Sequence, residues 1–255
     1  GGGGAPPYRD PPRATPATLG AVREQEMRAA ARALGADEVS FLDYVDRPAT
    51  EDGHRAPEHD PEQLRDDIRG LIESCAPALV LTHGSGGEYG HPDHRLLHER
   101  TTAAVDVAHP NPALYTFAAY HPEGPSNGTI NRWDWADLLL DDAPYGRAKA
   151  RAMLCHRTQW TVFVDPQDTL QDYRDALVDN AASIPAETYC CHRLGRAGVS
   201  PAVLSEWLGR DGTSAPRRPG EVMWDRLEEY RHKARIAAGE GLLALRQRLR
   251  GWFDG

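Results

Sequence analysis

The sequence predicts an α/β protein with a Rossmann-like, mostly parallel sheet and flanking helices. Two observations favour this class. Segments with helical periodicity alternate with short strand-like segments over the first half of the chain. In addition, Ala78 to Leu81 form an unbroken apolar run, which suits a strand buried on both faces of a parallel sheet. Because ligands of such sheets bind beyond the carboxyl ends of the strands, polar residues that follow a strand are candidates for a site.

The composition of the chain excludes some classes of protein. The 255-residue chain has 29 Lys and Arg against 38 Asp and Glu, a formal charge of -9. This excess of acidic residues argues against a nucleic-acid partner, because surfaces that bind nucleic acid are basic. No apolar run approaches the roughly 20 residues that cross a bilayer, and the N-terminus lacks the apolar segment of a signal peptide. The four cysteines form no C-x-x-C pair, which favours a reduced state. We therefore expect a cytoplasmic protein without a membrane span.

The elements of the first half follow from periodicity and from end signals. The first helix has an apolar stripe at helical spacing, Thr18 as a candidate N-cap and Gly35 as its end. The segment EVSFLDY is rich in residues that favour strands. The predicted elements are, in order, a helix Leu19–Leu34, a strand 38–44, a helix Pro61–Ser74, a strand 78–81, a helix His94–Val107 and a strand 112–120.

The second half begins with a segment, 121–143, that is rich in Gly, Pro and Asn and predicts a long loop over the sheet edge. The further predicted elements are a helix Ala143–Trp160, a helix Thr169–Asn180, a strand 188–194 and a long helix over 221–253. The last helix has one continuous apolar stripe, which would pack on the domain or on a second copy of the chain in a homo-oligomer. We expect an α/β domain over 1–215 and a helical extension over 216–255.

The stretch GGEYGHPDHRLLHE, residues 86–99, carries the chemistry. His91 and His94 are three residues apart, so within one helical turn they lie on the same side. Imidazole and carboxylate groups are ligands of zinc, and Asp93 can orient an imidazole through its ring N–H. The structural alternative is that His91 caps a helix while His94 lies partly exposed on it. The spacing alone leaves both interpretations open.

Several motifs together resemble one family. THGSGGEYGHPDHR, residues 82–95, resembles the second signature of the LmbE/PIG-L family of zinc-dependent N-acetylglucosaminyl de-N-acetylases. KARAMLCHRTQ, residues 149–159, resembles the segment that follows in many members. PAETYCCHRL, residues 185–194, resembles their C-terminal strand. The resemblance covers about residues 19–195 with the motifs in the family's order.

The resemblance implies a reaction and residue roles. It implies a hydrolase that removes an acetyl group from an N-acetylated amino sugar or a related small amide by attack of metal-bound water, with Zn²⁺ as cofactor. The implied residues are His94 as metal ligand, His91 as oxyanion stabiliser, Asp93 as the acid that orients His91, and Tyr89, Arg23 and Asp46 as substrate contacts. A small N-acetylated sugar or conjugate is the expected partner.

The sequence departs from the family's pattern at the family's first signature. The first signature, A-H-P-D-D, does not occur in these 255 residues, and we expect the strand–helix–strand segment that carries it to be missing as well, so His94 is the one expected zinc ligand of three. Three other motifs offer substitute ligands, and each of them fits a solvated loop better: AHPNP (108–112), YHPEG (120–124) and PEHDPE (57–62). The alternative function is therefore a catalytically incomplete or degenerate member that acts as a binding or structural protein.

Overall fold

A computed structural model describes residues 14–45, 56–121, 130–141, 145–162, 174–175, 178–179 and 186–208. The chain divides into two units, Gly1–Thr213 and Ser214–Gly255. The second unit lies wholly outside the described residues, so the C-terminal helix and the domain boundary at 215 stay predictions. None of the described helices is long and apolar enough to cross a membrane.

Helices and short strands alternate through the first unit. The elements are α1 Leu19–Leu34, α2 Pro61–Cys75, β1 Leu79–Thr82, α3 Gly87–Gly90, α4 Pro92–Val107, β2 Ala113–Phe117, β3 Ala119–Tyr120, β4 Asn131–Trp135, β5 Leu138–Asp141, α5 Gly146–Cys155, a 3-10 helix Arg157–Val162, β6 Ala186–Arg193 and α6 Pro201–Trp207. The chain is thus an α/β protein, as predicted. The predicted helix Thr169–Asn180 lies largely outside the described residues.

The main sheet is mixed rather than mostly parallel among the described residues. Its four strands lie in the order β1-β2-β6-β5, and β1 and β2 are parallel, with Leu79 opposite Ala113. β6 runs antiparallel to both β2 and β5. The prediction of a mostly parallel sheet is therefore wrong here, because a buried apolar run does not specify the direction of later strands. A second sheet pairs β3 with β4.

Local signals explain the helix ends. Gly35 ends α1 in the left-handed conformation, with φ 85°, as its position predicts. Asp60 caps α2, since its carboxylate accepts hydrogen bonds from the backbone N–H groups of Glu62 and Gln63. Thr18 was predicted to cap α1, but its side chain makes no cap hydrogen bond there and accepts one from the backbone of Thr15 instead.

Two predicted segments differ in the structure. Residues 38–44 form no strand, because no described strand pairs with them. Instead, the guanidinium of Arg28 lies over the ring of Phe41, with Cζ of Arg28 4.8 Å from the ring centroid. The segment 121–143, predicted as a loop, contains β4 and β5. Smaller shifts affect α4, which begins at Pro92 rather than His94, and the helix after residue 143, whose last part is a 3-10 helix.

Two apolar clusters pack against β2, one on each face of the main sheet. One face of the sheet carries a cluster that joins α2, α4 and β2: Ile72, Ala104, Val105, Ala108 and Leu114. The other face carries a cluster of Ala113, Tyr115 and Val199. Successive residues of a strand point to opposite faces, so Leu114 belongs to the first cluster while its neighbours belong to the second. With β1 parallel to β2, the carboxyl ends of both strands lie at the same edge, where His83 follows β1.

Candidate metal centre

The loop from β1 to α4 is folded by unusual backbone conformations. Gly87 and Gly90 have φ values of 61° and 92°, and Glu88 between them has φ 55° and ψ -68°. Positive φ is common for glycine and uncommon for other residues. This backbone turns Glu88 back toward the end of β1, where its carboxylate contacts His83.

Three side chains converge there into a cluster that we call the donor cluster: His83, Glu88 and His94. The Nδ1 atom of His83 lies 3.0 Å from Oε2 of Glu88, and the Nδ1 atom of His94 hydrogen-bonds to the same oxygen. The donor atoms of the three residues all lie within 4.8 Å of one another, and in the described part of the chain they are the group that can hold a metal ion. Two imidazoles and a carboxylate are a donor set that zinc accepts, so the residues fit a zinc ion; iron, cobalt and manganese also accept such ligands.

The surroundings set the charges of the donor cluster. Burial by itself raises the pKa of Glu88, but hydrogen bonds with His83 and Asn131 outweigh this effect and lower the pKa to about 2. The carboxylate is therefore ionised at neutral pH. Burial, together with the nearby His83, lowers the pKa of His94 even though Glu88 raises it. An ionised carboxylate and a neutral imidazole are the protonation states that bind a metal.

A second polar network supports the loop from behind. Asp134 of β4 is buried and accepts hydrogen bonds from the backbone N–H of Ser85, at 2.8 Å, and from its hydroxyl. Thr116 of β2 also donates to Asp134, and it contacts Nε2 of His192 at 3.0 Å. His98 of α4 donates from Nδ1 to the carbonyl of His83, at 2.9 Å. The loop that carries the donor cluster is thus hydrogen-bonded directly to β4 and to α4, and Asp134 connects it further to Thr116 of β2.

The structure places His91 and Asp93 beside the donor cluster. The ring of His91 stacks on that of His94, with centroids 4.5 Å apart, as the three-residue spacing predicts. His91 also caps α4, because its Nδ1 accepts the backbone N–H of Asp93 at 3.3 Å. The Asp93 carboxylate is 3.9 Å from that nitrogen, which is too far for a hydrogen bond. The hydrogen bond between the two residues therefore comes from the backbone N–H of Asp93, while the carboxylate lies at ion-pair distance.

The predicted substrate-contact residues have different places. Tyr89 is 62% exposed, and its ring stands edge-on to both His91 and His94 at 5.7 Å. Arg23 lies on α1, close to His156. Burial lowers the pKa of His156, and the positive charge of Arg23 also acts to lower it. Asp46 is outside the described residues, so its role stays a prediction.

The candidate substitutes for the first signature have structural roles where they are described. Asp60 caps α2, and Nδ1 of His59 bonds to the carbonyl of Pro57. The backbone N–H of His109 donates to a carboxylate oxygen of Glu73. Glu123 is outside the described residues. The solvated-loop interpretation of these motifs is consistent with those contacts.

Sequence reasoning missed His83 and Glu88. The sequence left His94 as the single ligand candidate, and the structure adds His83 and Glu88 as two further candidate donors beside it. The available signal was the position of His83 directly after a buried strand, at the edge where ligands bind. Glu88 gave no such signal, because its approach depends on the backbone conformation described above.

Comparisons with known proteins agree with the motifs. A profile of the family described as PIG-L, GlcNAc-PI de-N-acetylase, matches residues 2–105. A 1D-myo-inositol 2-acetamido-2-deoxy-alpha-D-glucopyranoside deacetylase of Actinosynnema mirum is 30% identical over 175 residues, 58% of this chain and 62% of that protein. A deacetylase of the same name from Mycolicibacterium gilvum is 28% identical over 215 residues, 72% of this chain and 73% of that protein. The chain thus spans about three fifths of the first of these relatives.

Among solved structures, the 4-carboxy-2-hydroxymuconate hydratase GalB of Pseudomonas putida KT2440 superimposes with a TM-score of 0.47 and 21% identity, over 72% of this chain and 76% of that one. Similarity at this level supports no inference about activity.

Proposed function

Because the chain belongs to the PIG-L/LmbE family, we propose that it is a zinc-dependent de-N-acetylase. The observation that carries the proposal is the donor cluster, which lies directly against His91 at the carboxyl edge of β1. The two relatives described above are deacetylases of an N-acetylglucosaminyl inositol. We therefore propose a glucosaminyl conjugate with an N-acetyl group as the substrate class. The reaction consumes water and yields the free amine and acetate.

His83, Glu88 and His94 are the residues that would hold the ion. A divalent metal supplies Lewis acidity, which polarises the amide carbonyl and lowers the pKa of water at the site. Glu88 neutralises part of the added charge, and its low pKa keeps it available as a ligand over the whole neutral range. The partial burial of the three side chains strengthens their electrostatic interactions with substrate.

His91 is suited to stabilise negative charge on the carbonyl oxygen. Its Nδ1 accepts the backbone N–H of Asp93, so in the neutral ring the proton resides on Nε2. Nε2–H is then a hydrogen-bond donor, as the resemblance to the family implies for an oxyanion stabiliser. Asp93 contributes by fixing this tautomer through its backbone. The proposed roles of His91 and Asp93 thus use the same contact that caps α4.

Substrate contacts complete the proposal. Tyr89 is exposed beside both His91 and His94, where a bound sugar would meet it. An aromatic ring of this kind offers a flat apolar surface and a hydroxyl to the substrate. Arg23 and Asp46 remain proposed sugar contacts from the resemblance to the family.

A deacetylation assay tests the proposed function. The zinc-loaded chain is incubated with an N-acetylglucosaminyl inositol, and released amine and acetate are measured. We expect equal amounts of both products, loss of activity when a chelator removes the metal, and recovery when zinc is restored, because the reaction requires the Lewis acid. Binding of the sugar by the zinc-loaded chain without release of amine would instead identify a binding protein and contradict the proposal.

A further inference from the structure

We propose that Asn131 is a positioning residue for the donor cluster. Its amide holds both the backbone and the carboxylate of Glu88, and this leaves one carboxylate oxygen facing His83 and His94. The inference rests on the proposed function, because it takes the donor cluster as a metal site. Nothing in the motifs points to Asn131, which lies 43 residues after Glu88 in the chain.

The first observation is the strained backbone of Glu88. Its φ of 55° and ψ of -68° cost a residue with a side chain on the order of 1–3 kcal/mol, and such strain persists only where the surroundings hold it. The backbone N–H of Glu88 donates to Oδ1 of Asn131 at 2.8 Å. This hydrogen bond joins the strained residue to a strand, and so it offsets part of the cost.

The second observation is that the two carboxylate oxygens of Glu88 have different hydrogen-bond partners. Oε1 accepts hydrogen bonds from Nδ2 of Asn131, at 2.9 Å, and from the backbone N–H of Gly84, at 3.2 Å. Oε2 contacts the Nδ1 atoms of His83 and His94. Because Oε1 is occupied by these donors, the carboxylate cannot rotate without losing them. Oε2 is therefore kept at the centre of the donor cluster.

The third observation is that Asn131 is itself fixed. It is fully buried at the start of β4, and its backbone N–H donates to the carbonyl of Ala118 at 2.7 Å. Nδ2 donates a second hydrogen bond to the carbonyl of Phe117, at 3.1 Å. The amide thus faces one donor with its oxygen and two acceptors with its nitrogen, which also fixes its orientation. A hydroxyl or a carboxylate cannot supply the same set of groups.

The test compares zinc affinity in Asn131→Asp, Asn131→Ala and the wild-type chain. Asn131→Asp keeps the shape but places a carboxylate oxygen against Oε1 of Glu88, and Asn131→Ala removes the amide without adding charge. We expect both variants to bind zinc about 10- to 100-fold more weakly, the effect typical of residues that orient metal ligands. Titration against a chromophoric chelator measures the affinity, and the absorption of Co²⁺ in the same chains reports a change in ligand geometry.

Thr158→Val is the matched control. Thr158 is also buried, and its hydroxyl donates to Glu26 of α1 at 2.7 Å. The control variant loses a buried hydrogen bond outside the donor cluster, so we expect a lower melting temperature with wild-type zinc affinity and an unchanged Co²⁺ spectrum. Circular dichroism establishes that each variant is folded.

The outcomes separate this inference from the proposed function. Folded Asn131 variants with wild-type zinc affinity overturn the inference alone. Failure of both Asn131 variants to fold, with Thr158→Val folded, also overturns it, because Asn131 would then serve the fold rather than the ligand. A wild-type chain that binds no zinc overturns the inference and the metal part of the proposed function together. A wild-type chain that binds zinc but releases no acetate overturns the proposed function alone.

Discussion

Replacement of His94 with alanine is expected to abolish zinc binding while the chain stays folded. The substitution removes one of three donor groups, and His83 and Glu88 alone are too few to hold the ion firmly. We expect the zinc affinity to fall by more than about 100-fold, beyond the loss caused by a residue that only orients a ligand. The side chain of His94 is 25% exposed, so its removal leaves no large buried cavity. Equilibrium titration with a zinc chelator measures the effect.

His109→Ala is the control for this experiment. His109 is exposed and follows α4, and its replacement removes an imidazole without changing the donor cluster. We expect this variant to bind zinc as the wild-type chain does. If His94→Ala retains the zinc content of the wild-type chain, His94 is not a ligand and the assignment of the donor cluster is wrong.

Gly84→Ala is expected to destabilise the protein strongly and to weaken the donor cluster. A Cβ atom at Gly84 would lie 2.1 Å from Cγ of Asn131 and 2.6 Å from Oδ2 of Asp134. Both neighbours are buried and held by hydrogen bonds in β4, so neither can move aside at low cost. Overpacking of this kind costs about 3 kcal/mol of the free energy of unfolding. Urea denaturation measures the stability, and zinc titration measures the effect on the site.

Gly70→Ala is the matched control for Gly84→Ala. Gly70 lies on the exposed face of α2, and a Cβ atom there would meet nothing within 4 Å. Alanine has the higher helix propensity, so we expect this variant to gain about 0.5–1 kcal/mol. A Gly84→Ala chain as stable as the wild type, with unchanged zinc affinity, would show that β4 does not pack against the loop as described.

Helices α1 and α2 were predictable because their signals are local. Gly35 and the apolar stripe before it define α1, and Pro61 with Asp60 marks the start of α2. β4 was not predictable from apolar periodicity, because the residues it buries include Asn131 and Asp134. Their burial becomes favourable only through hydrogen bonds with a loop more than 40 residues earlier in the chain.

The site shows the same distinction. His91 and His94 could be paired from their spacing, because residues three apart share a helix face. The approach of Glu88 to the two histidines could not be predicted, since it requires a positive φ at a residue type that rarely adopts one. The orientation of His91 by the Asp93 carboxylate stays a prediction, since the hydrogen bond in the structure comes from the backbone N–H of Asp93. The start of α4 at Pro92 places the Asp93 backbone, rather than its carboxylate, at Nδ1 of His91.

The central claim is that His83, Glu88 and His94 together hold a metal ion. Anomalous scattering at the zinc absorption edge, from crystals of this chain grown with zinc, tests it most directly because it locates the ion. The claim predicts one strong peak about 2.0–2.2 Å from donor atoms of all three residues. A peak bonded to His94 with His83 and Glu88 beyond coordination distance, or no peak in the donor cluster, would contradict it.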